Sequence, residues 1–163
     1  MPLLIECIVI NALLTICVWV GTKDNKIKLK SFYSYPKKVQ ERLLTIQEYS
    51  QYIPSKSKKI VTTISSFFMF FILFLICCFF NGVVLFWDAF KNSVVLGLVM
   101  NLYDLLILDI LWFSNARRTK IAGTEDMVKE YRNPKVHIEA FLRGIVMTFI
   151  AAALVGSIFN IFR

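Results

Sequence analysis

Asn101, Asp104 and Asp109 stand in the stretch MNLYDLLILDILWF, Met100 to Phe113, among leucine, isoleucine and aromatic residues. A charged side chain at the centre of a bilayer costs on the order of 3 kcal/mol, so such residues face a bundle interior and have partners there. Two kinds of chemistry suit them. Carboxylates held out of water can move protons as general acids or bases, and their oxygens bind hard divalent cations. A second polar stretch, GTEDMVKEYRNPKVHIEAFLRG, Gly123 to Gly144, adds Thr124, Glu125, Asp126, His137, Glu139 and Arg143. Asp104, Asp109 and His137 are the candidate acid–base residues. The candidate ligand-binding set is Asn101, Asp104, Asp109, Trp112, Thr124, Glu125, Asp126 and Arg143. His137 is the single histidine. Any metal would therefore be held mainly by Asp104, Asp109, Glu125 and Asp126, and the cofactor such a set suits is a divalent cation with oxygen ligands.

Helix geometry predicts that the first group shares a face. At about 100° per residue, Asn101, Asp104, Leu108, Asp109 and Trp112 fall in a sector about 140° wide, with Gly97 inside it and Tyr103 and Ile107 behind. Gly97 on that face lets a neighbouring helix approach closely. Asp109 and Arg143 are predicted at similar depth and paired between two antiparallel helices, with Glu139 joining Arg143 from four residues before it. Asp104 has no cation at its depth; Asn101 is its neighbour one turn away, and Glu6 and Asn11 enter from the opposite side of the membrane.

The elements that position these groups follow from composition. A chain of 163 residues with 57% hydrophobic side chains and 15% aromatics is not a water-soluble domain. Its mean hydropathy of +0.62 agrees. Four apolar stretches reach the ~20 residues a helix needs to cross hydrocarbon: 2–21, 64–86, 94–113 and 138–162. The prediction is an all-α, polytopic integral membrane four-helix bundle over 1–163, with short cytoplasmic amphipathic helices in its loops. The first stretch lacks a basic leading region and a small-residue cleavage pattern, and reads as a retained span.

Orientation comes from the basic residues. The loop 22–59 holds ten Lys and Arg against three acids, and the loop 114–136 holds six against three. By the positive-inside rule both loops are cytoplasmic and both termini extracytoplasmic, in a multi-pass protein of the plasma membrane. The formal charge of +8 then sits beside an anionic leaflet, and membrane lipids are the expected partners. No aromatic-interleaved basic platform points to nucleic acid. Within the first loop, Pro36 opens a helix with an apolar stripe at Val39, Leu43 and Ile46, suited to lying on the membrane surface. Within the second, Thr124 is a candidate N-cap with Glu125 and Asp126 in the first turn and Asn133–Pro134 as the stop. Cys7, Cys17, Cys77 and Cys78 lie in apolar spans without metal-ligand or redox spacing and read as small buried hydrophobes.

The pattern N-x-x-D-x4-D-x-x-W, Asn101 to Trp112, followed by G-T-E-D, Gly123 to Asp126, resembles a functionally uncharacterised family of small four-span bacterial integral membrane proteins. The likeness covers roughly residues 97 to 144, with a weaker echo in YSYPKKVQERL. It implies a site at Asn101, Asp104, Asp109, Trp112, Gly123, Thr124, Glu125 and Asp126, and implies no reaction. Ala122 stands where the family often has Pro, which leaves the turn less constrained.

Three function classes are compatible with these residues. The first is a binding or transport module, in which a polar intramembrane site near the cytoplasmic face takes an ion, a small polar solute or a lipid head group. A narrow bundle of this kind would work as a homo-oligomer or with a partner subunit, through the small-residue surface Ala152-x3-Gly156. The second is a membrane-embedded enzyme acting on a lipid or lipid-linked substrate, with Arg143 and His137 receiving an anionic head group. Against it, the chain has no G-x-G-D of intramembrane aspartyl proteases, no D-G-x-x-A-R of head-group transferases, and no nucleophile with a paired base. The third is a non-catalytic accessory or immunity protein.

Overall fold

A computed structural model describes residues 3–161. The described residues form helices and connections, with no strand. In chain order the α-helices are α1 (Leu3–Gly21), α2 (Asn25–Lys30), α3 (Lys37–Thr45), α4 (Lys56–Phe80), α5 (Phe86–Tyr103), α6 (Val128–Tyr131) and α7 (Lys135–Ile161). α5 continues without a break as a π-helix over Asp104–Phe113. Among the described residues, four helical segments are long and apolar enough to cross a membrane: α1, α4, α5 with its π extension, and the segment from α6 through α7. Much of their outward surface is apolar and exposed, as at Leu4 (71%), Leu111 (61%) and Phe79 (74%).

The helix ends differ from the apolar stretches that predict them. α4 starts eight residues before Ile64, because the Ser55 hydroxyl accepts a hydrogen bond from the Lys58 amide (3.3 Å) and Lys56, Lys58 and Lys59 are good helix formers. It stops at Phe80, short of 86, because Gly82 adopts a left-handed φ of +65°. Val83–Leu85 then belong to the turn, and Asp88 and Lys91, expected in a connection before residue 94, lie within α5. α7 starts at Lys135, three residues before Ile138, with the Asn133 side chain accepting from the Lys135 amide. Residues 2 and 162, the outer limits of the first and last predicted spans, lie outside the described residues.

Hydrophobic packing divides the molecule into two cores. One takes Cys7 and Ile10 of α1, Phe74, Cys77 and Cys78 of α4, Ala89, Leu96 and Met100 of α5, and Ala151 and Val155 of α7. These positions lie towards the end of the bundle that carries the Asn81–Leu85 turn. α5 is the central helix, packed on α1, α4 and most extensively α7. The antiparallel α5–α7 register is set by glycine notches. A Cβ on Gly97 would collide with Thr148, one on Gly144 would collide with the Asn101 side chain, and one on Gly156 would come within 2.9 Å of Phe86. Ala152 and Gly156 are therefore buried inside the bundle and give no small-residue surface for a second copy.

The second core joins the two long loops. Leu29, Phe32, Tyr35, Val39 and Leu43 from the first loop pack with Ile121 and Tyr131 from the second. The predicted stripe on α3 thus turns Val39 and Leu43 into a protein core, where each is fully buried, and not onto a flat surface. Lys28 on α2 reaches across it, its Nζ donating to the carbonyls of Lys120 (2.6 Å) and Arg118 (3.2 Å). Burial holds that ammonium below its usual 10.5, and burial likewise pushes the Tyr35 phenol up.

Candidate functional site: a cleft between α4 and α7

Along α4, no residue from Lys56 to Leu73 is buried, whereas Phe74, Cys77 and Cys78 are. The helix is held at its turn end and stands off from its neighbours at the loop end. The gap is a cleft of about 780 Å³ with α4 and α7 as walls, α5 behind, and Lys30, Ser31, Tyr33, Ser34 and Pro54 near its loop end. Lys59, Thr62, Thr63 and Ser66 line it from α4 near the loops, and Phe67, Phe70 and Phe74 line it farther in. This face repeats at three- and four-residue steps, as one side of a helix must.

Asp109 and His137 meet in this cleft. His137 Nδ1 lies 3.0 Å from Asp109 Oδ2, with the His137 side chain 5% and the Asp109 side chain 24% exposed. The ring stands edge-on to Phe113, centroids 5.4 Å apart, and its other nitrogen, Nε2, is buried without a hydrogen-bond partner. The predicted Asp109–Arg143 pair is replaced by this one. α7 begins three residues earlier than the apolar stretch implies, which draws His137 out of the loop and onto the helix opposite Asp109. Arg143 sits farther from the loop face, exposed on the cleft wall, with no ion pair within 4.0 Å to Asp109, Glu139 or any other described residue.

The π-helix explains which of the other predicted residues share the cleft. Its hydrogen bonds run from residue i to i+5, as from the Ser114 amide to the Asp109 carbonyl (3.0 Å). Five residues then close about one turn, so Asp104 and Asp109 come to one side, and both line the cleft. The same change swings Trp112 away. Its ring stacks on Trp19 of α1 (5.8 Å, 10°), and the Arg118 guanidinium covers the Trp19 ring at 4.0 Å. Tyr103, predicted behind the polar face, does point to α1, where its hydroxyl meets Thr15 at 2.8 Å. Asn101 is at the cleft but committed to packing: its amide donates to the Gly97 carbonyl (2.8 Å) and to Thr148 Oγ1 (3.0 Å).

The G-T-E-D residues stay with the loops. Thr124 is fully buried, its hydroxyl bonded to the Ile121 carbonyl and to the Tyr131 phenol, both at 2.7 Å. It does not cap a helix; α6 begins at Val128 behind Met127. Glu125 accepts from the Gly123 amide, where φ is +83°, and Asp126 pairs with Arg42 at 3.3 Å. Glu125 and Asp126 are thus parted from Asp104 and Asp109. Among the described residues no three His, Cys, Asp or Glu side chains come together to hold a metal. The four-carboxylate cation set is not assembled.

On α1, Glu6 is buried at the turn end and accepts from the Asn81 amide at 3.1 Å, while Asn11 Oδ1 is buried without a donor. The sequence reading missed Lys30, Tyr33, Lys59, Thr62, Thr63 and Ser66 as site residues. The signal for α4 was the hydroxyl and lysine repeat at 59, 62, 63 and 66 leading into an apolar helix. The chain matches no family model, no curated protein and no solved structure.

Proposed function

We propose that this chain is an integral membrane protein of the plasma membrane whose cleft binds the phosphate-bearing head group of a membrane lipid from the cytoplasmic leaflet. The observation that carries the reading is the cleft's two-part lining. Lys30, Lys59 and Arg143 with the hydroxyls of Thr62, Thr63 and Ser66 form one part, and Phe67, Phe70, Phe74 and Met147 the other. The cations and the Ser66 hydroxyl suit a phosphate, the Thr62 and Thr63 hydroxyls donating to the Lys58 and Lys59 carbonyls (2.9 and 3.0 Å), and an aromatic wall suits the first carbons of an acyl or glycerol chain. A free ion or small polar solute leaves the aromatic half without a partner.

The test is purification in mild detergent followed by native mass spectrometry. A stoichiometric phospholipid is expected, with retention falling in Lys59→Ala and Arg143→Ala. A bare polypeptide that added phospholipid does not stabilise overturns the reading. A membrane-embedded enzyme is the second reading, supported by one feature: His137 Nδ1 lies 3.0 Å from Asp109 Oδ2 while Nε2, facing no partner, is left to meet a ligand, the arrangement a histidine general base uses. Turnover of a bound lipid in vesicles, lost in His137→Asn, would favour it.

A further inference from the structure

Two polar groups in the cleft lack partners. Asp109 Oδ2 lies 3.0 Å from His137 Nδ1, and His137 Nε2 is buried without a partner; in the tautomer that carries its proton on Nδ1, Nε2 is an acceptor. Asp104, on the same side one π-turn earlier, makes no hydrogen bond or ion pair among the described residues. Buried polar groups in folded proteins are nearly always satisfied, so a ligand that pairs with His137 Nε2 and reaches the partly exposed Asp104 carboxyl completes the site. The same cleft carries Arg143 and Lys59, cations that face no carboxylate within 4.0 Å. The cleft therefore carries cations and partnerless acceptors together, and one ligand that satisfies both must carry negative charge and N–H or O–H donors together.

Resting on the head-group reading above, we infer that the cleft selects an aminophospholipid, with the phosphate on Arg143 and Lys59 and the primary ammonium donating to Asp104 and to His137 Nε2. Phosphatidylcholine is the natural control, because its quaternary nitrogen has no N–H. Phosphatidylglycerol supplies donors without the positive charge, and soluble phosphoethanolamine carries the same head chemistry without the chains.

The experiment is competition in defined detergent–lipid mixtures, read by native mass spectrometry and by thermal shift. Wild-type protein should retain phosphatidylethanolamine over phosphatidylcholine by about tenfold, the scale of one charge-assisted hydrogen bond. Asp104→Asn and His137→Phe should bring that ratio towards one, whereas Arg143→Ala should weaken both lipids alike. Equal retention of the two lipids by wild type overturns the ammonium assignment and leaves the head-group reading standing; so does preference for phosphatidylglycerol. Retention of no phospholipid overturns both. Stabilisation by free phosphoethanolamine as strong as by the lipid transfers the site to a soluble zwitterion and overturns the lipid assignment. The wild-type competition decides the matter even if a variant fails to fold.

Discussion

Asp109 Oδ2 lies 3.0 Å from His137 Nδ1, and the energetics of that contact are open to a double-mutant cycle. Each of Asp109→Leu and His137→Leu should lower the melting temperature in detergent, by an amount near the ~1.5–3 kcal/mol of a hydrogen bond to a charged group. The double variant should fall well short of the sum, since it leaves no orphaned carboxylate. Additive losses would break the pair. Arg143→Leu, by contrast, should change stability by no more than ~0.5 kcal/mol, because the guanidinium is exposed and unpaired. A second residue-scale test addresses the α5–α7 notch. Gly144→Ala puts a methyl into the Asn101 side chain and should cost about 1–3 kcal/mol as overpacking does. Adding Asn101→Ala should return part of that loss. A Gly144→Ala protein as stable as wild type would mean that the helices sit farther apart than described.

At the scale of elements, the π extension of α5 and the knot of the two loops do different work. The extension widens the turn so that Asp104 and Asp109 share the cleft while Trp112 joins α1. The knot depends on Lys28, whose ammonium bonds two carbonyls of the second loop. Lys28→Met should leave those carbonyls without a donor, and limited trypsin digestion should then cut faster at Arg117, Arg118 and Lys120. An unchanged digestion pattern would remove Lys28 from that role. Its pH signature has a definite sign. The folded group titrates below 10.5, so the unfolded chain holds the proton longer, and stability rises with pH between the folded value and 10.5. Below the folded value Lys28 contributes no pH slope. Melting curves of wild type should show that rise relative to Lys28→Met.

For the whole molecule, the proposed orientation puts residues 22–59 and 114–136 in the cytoplasm. In a background without the four native cysteines, an impermeant thiol reagent applied from outside should miss Ser55→Cys and Asn115→Cys and label Val84→Cys in the exposed turn. The reverse pattern would move the cleft to the other leaflet. The number of long apolar helices was legible in the sequence, because length and hydropathy are properties of each stretch by itself. So was the apolar stripe of Val39 and Leu43, though not what it packs against, because a helical period survives whatever it meets. The chemistry-bearing residues Asp104, Asp109 and His137 also stood out by type. Their arrangement did not. Pairing of Asp109 with His137 and not Arg143 depends on the register between α5 and α7, which is decided by where Gly97, Gly144 and Gly156 admit their neighbours. The departure of Trp112 depends on a π-helix that a constant 100° step cannot express. The withdrawal of Thr124, Glu125 and Asp126 into the loops depends on Tyr131, Gly123 and Arg42, partners chosen by three-dimensional proximity. Local pattern determined which segments are helical and which faces are apolar; only tertiary packing, through close approach at glycines and hydrogen bonds between segments distant in the chain, decided which polar groups share the cleft.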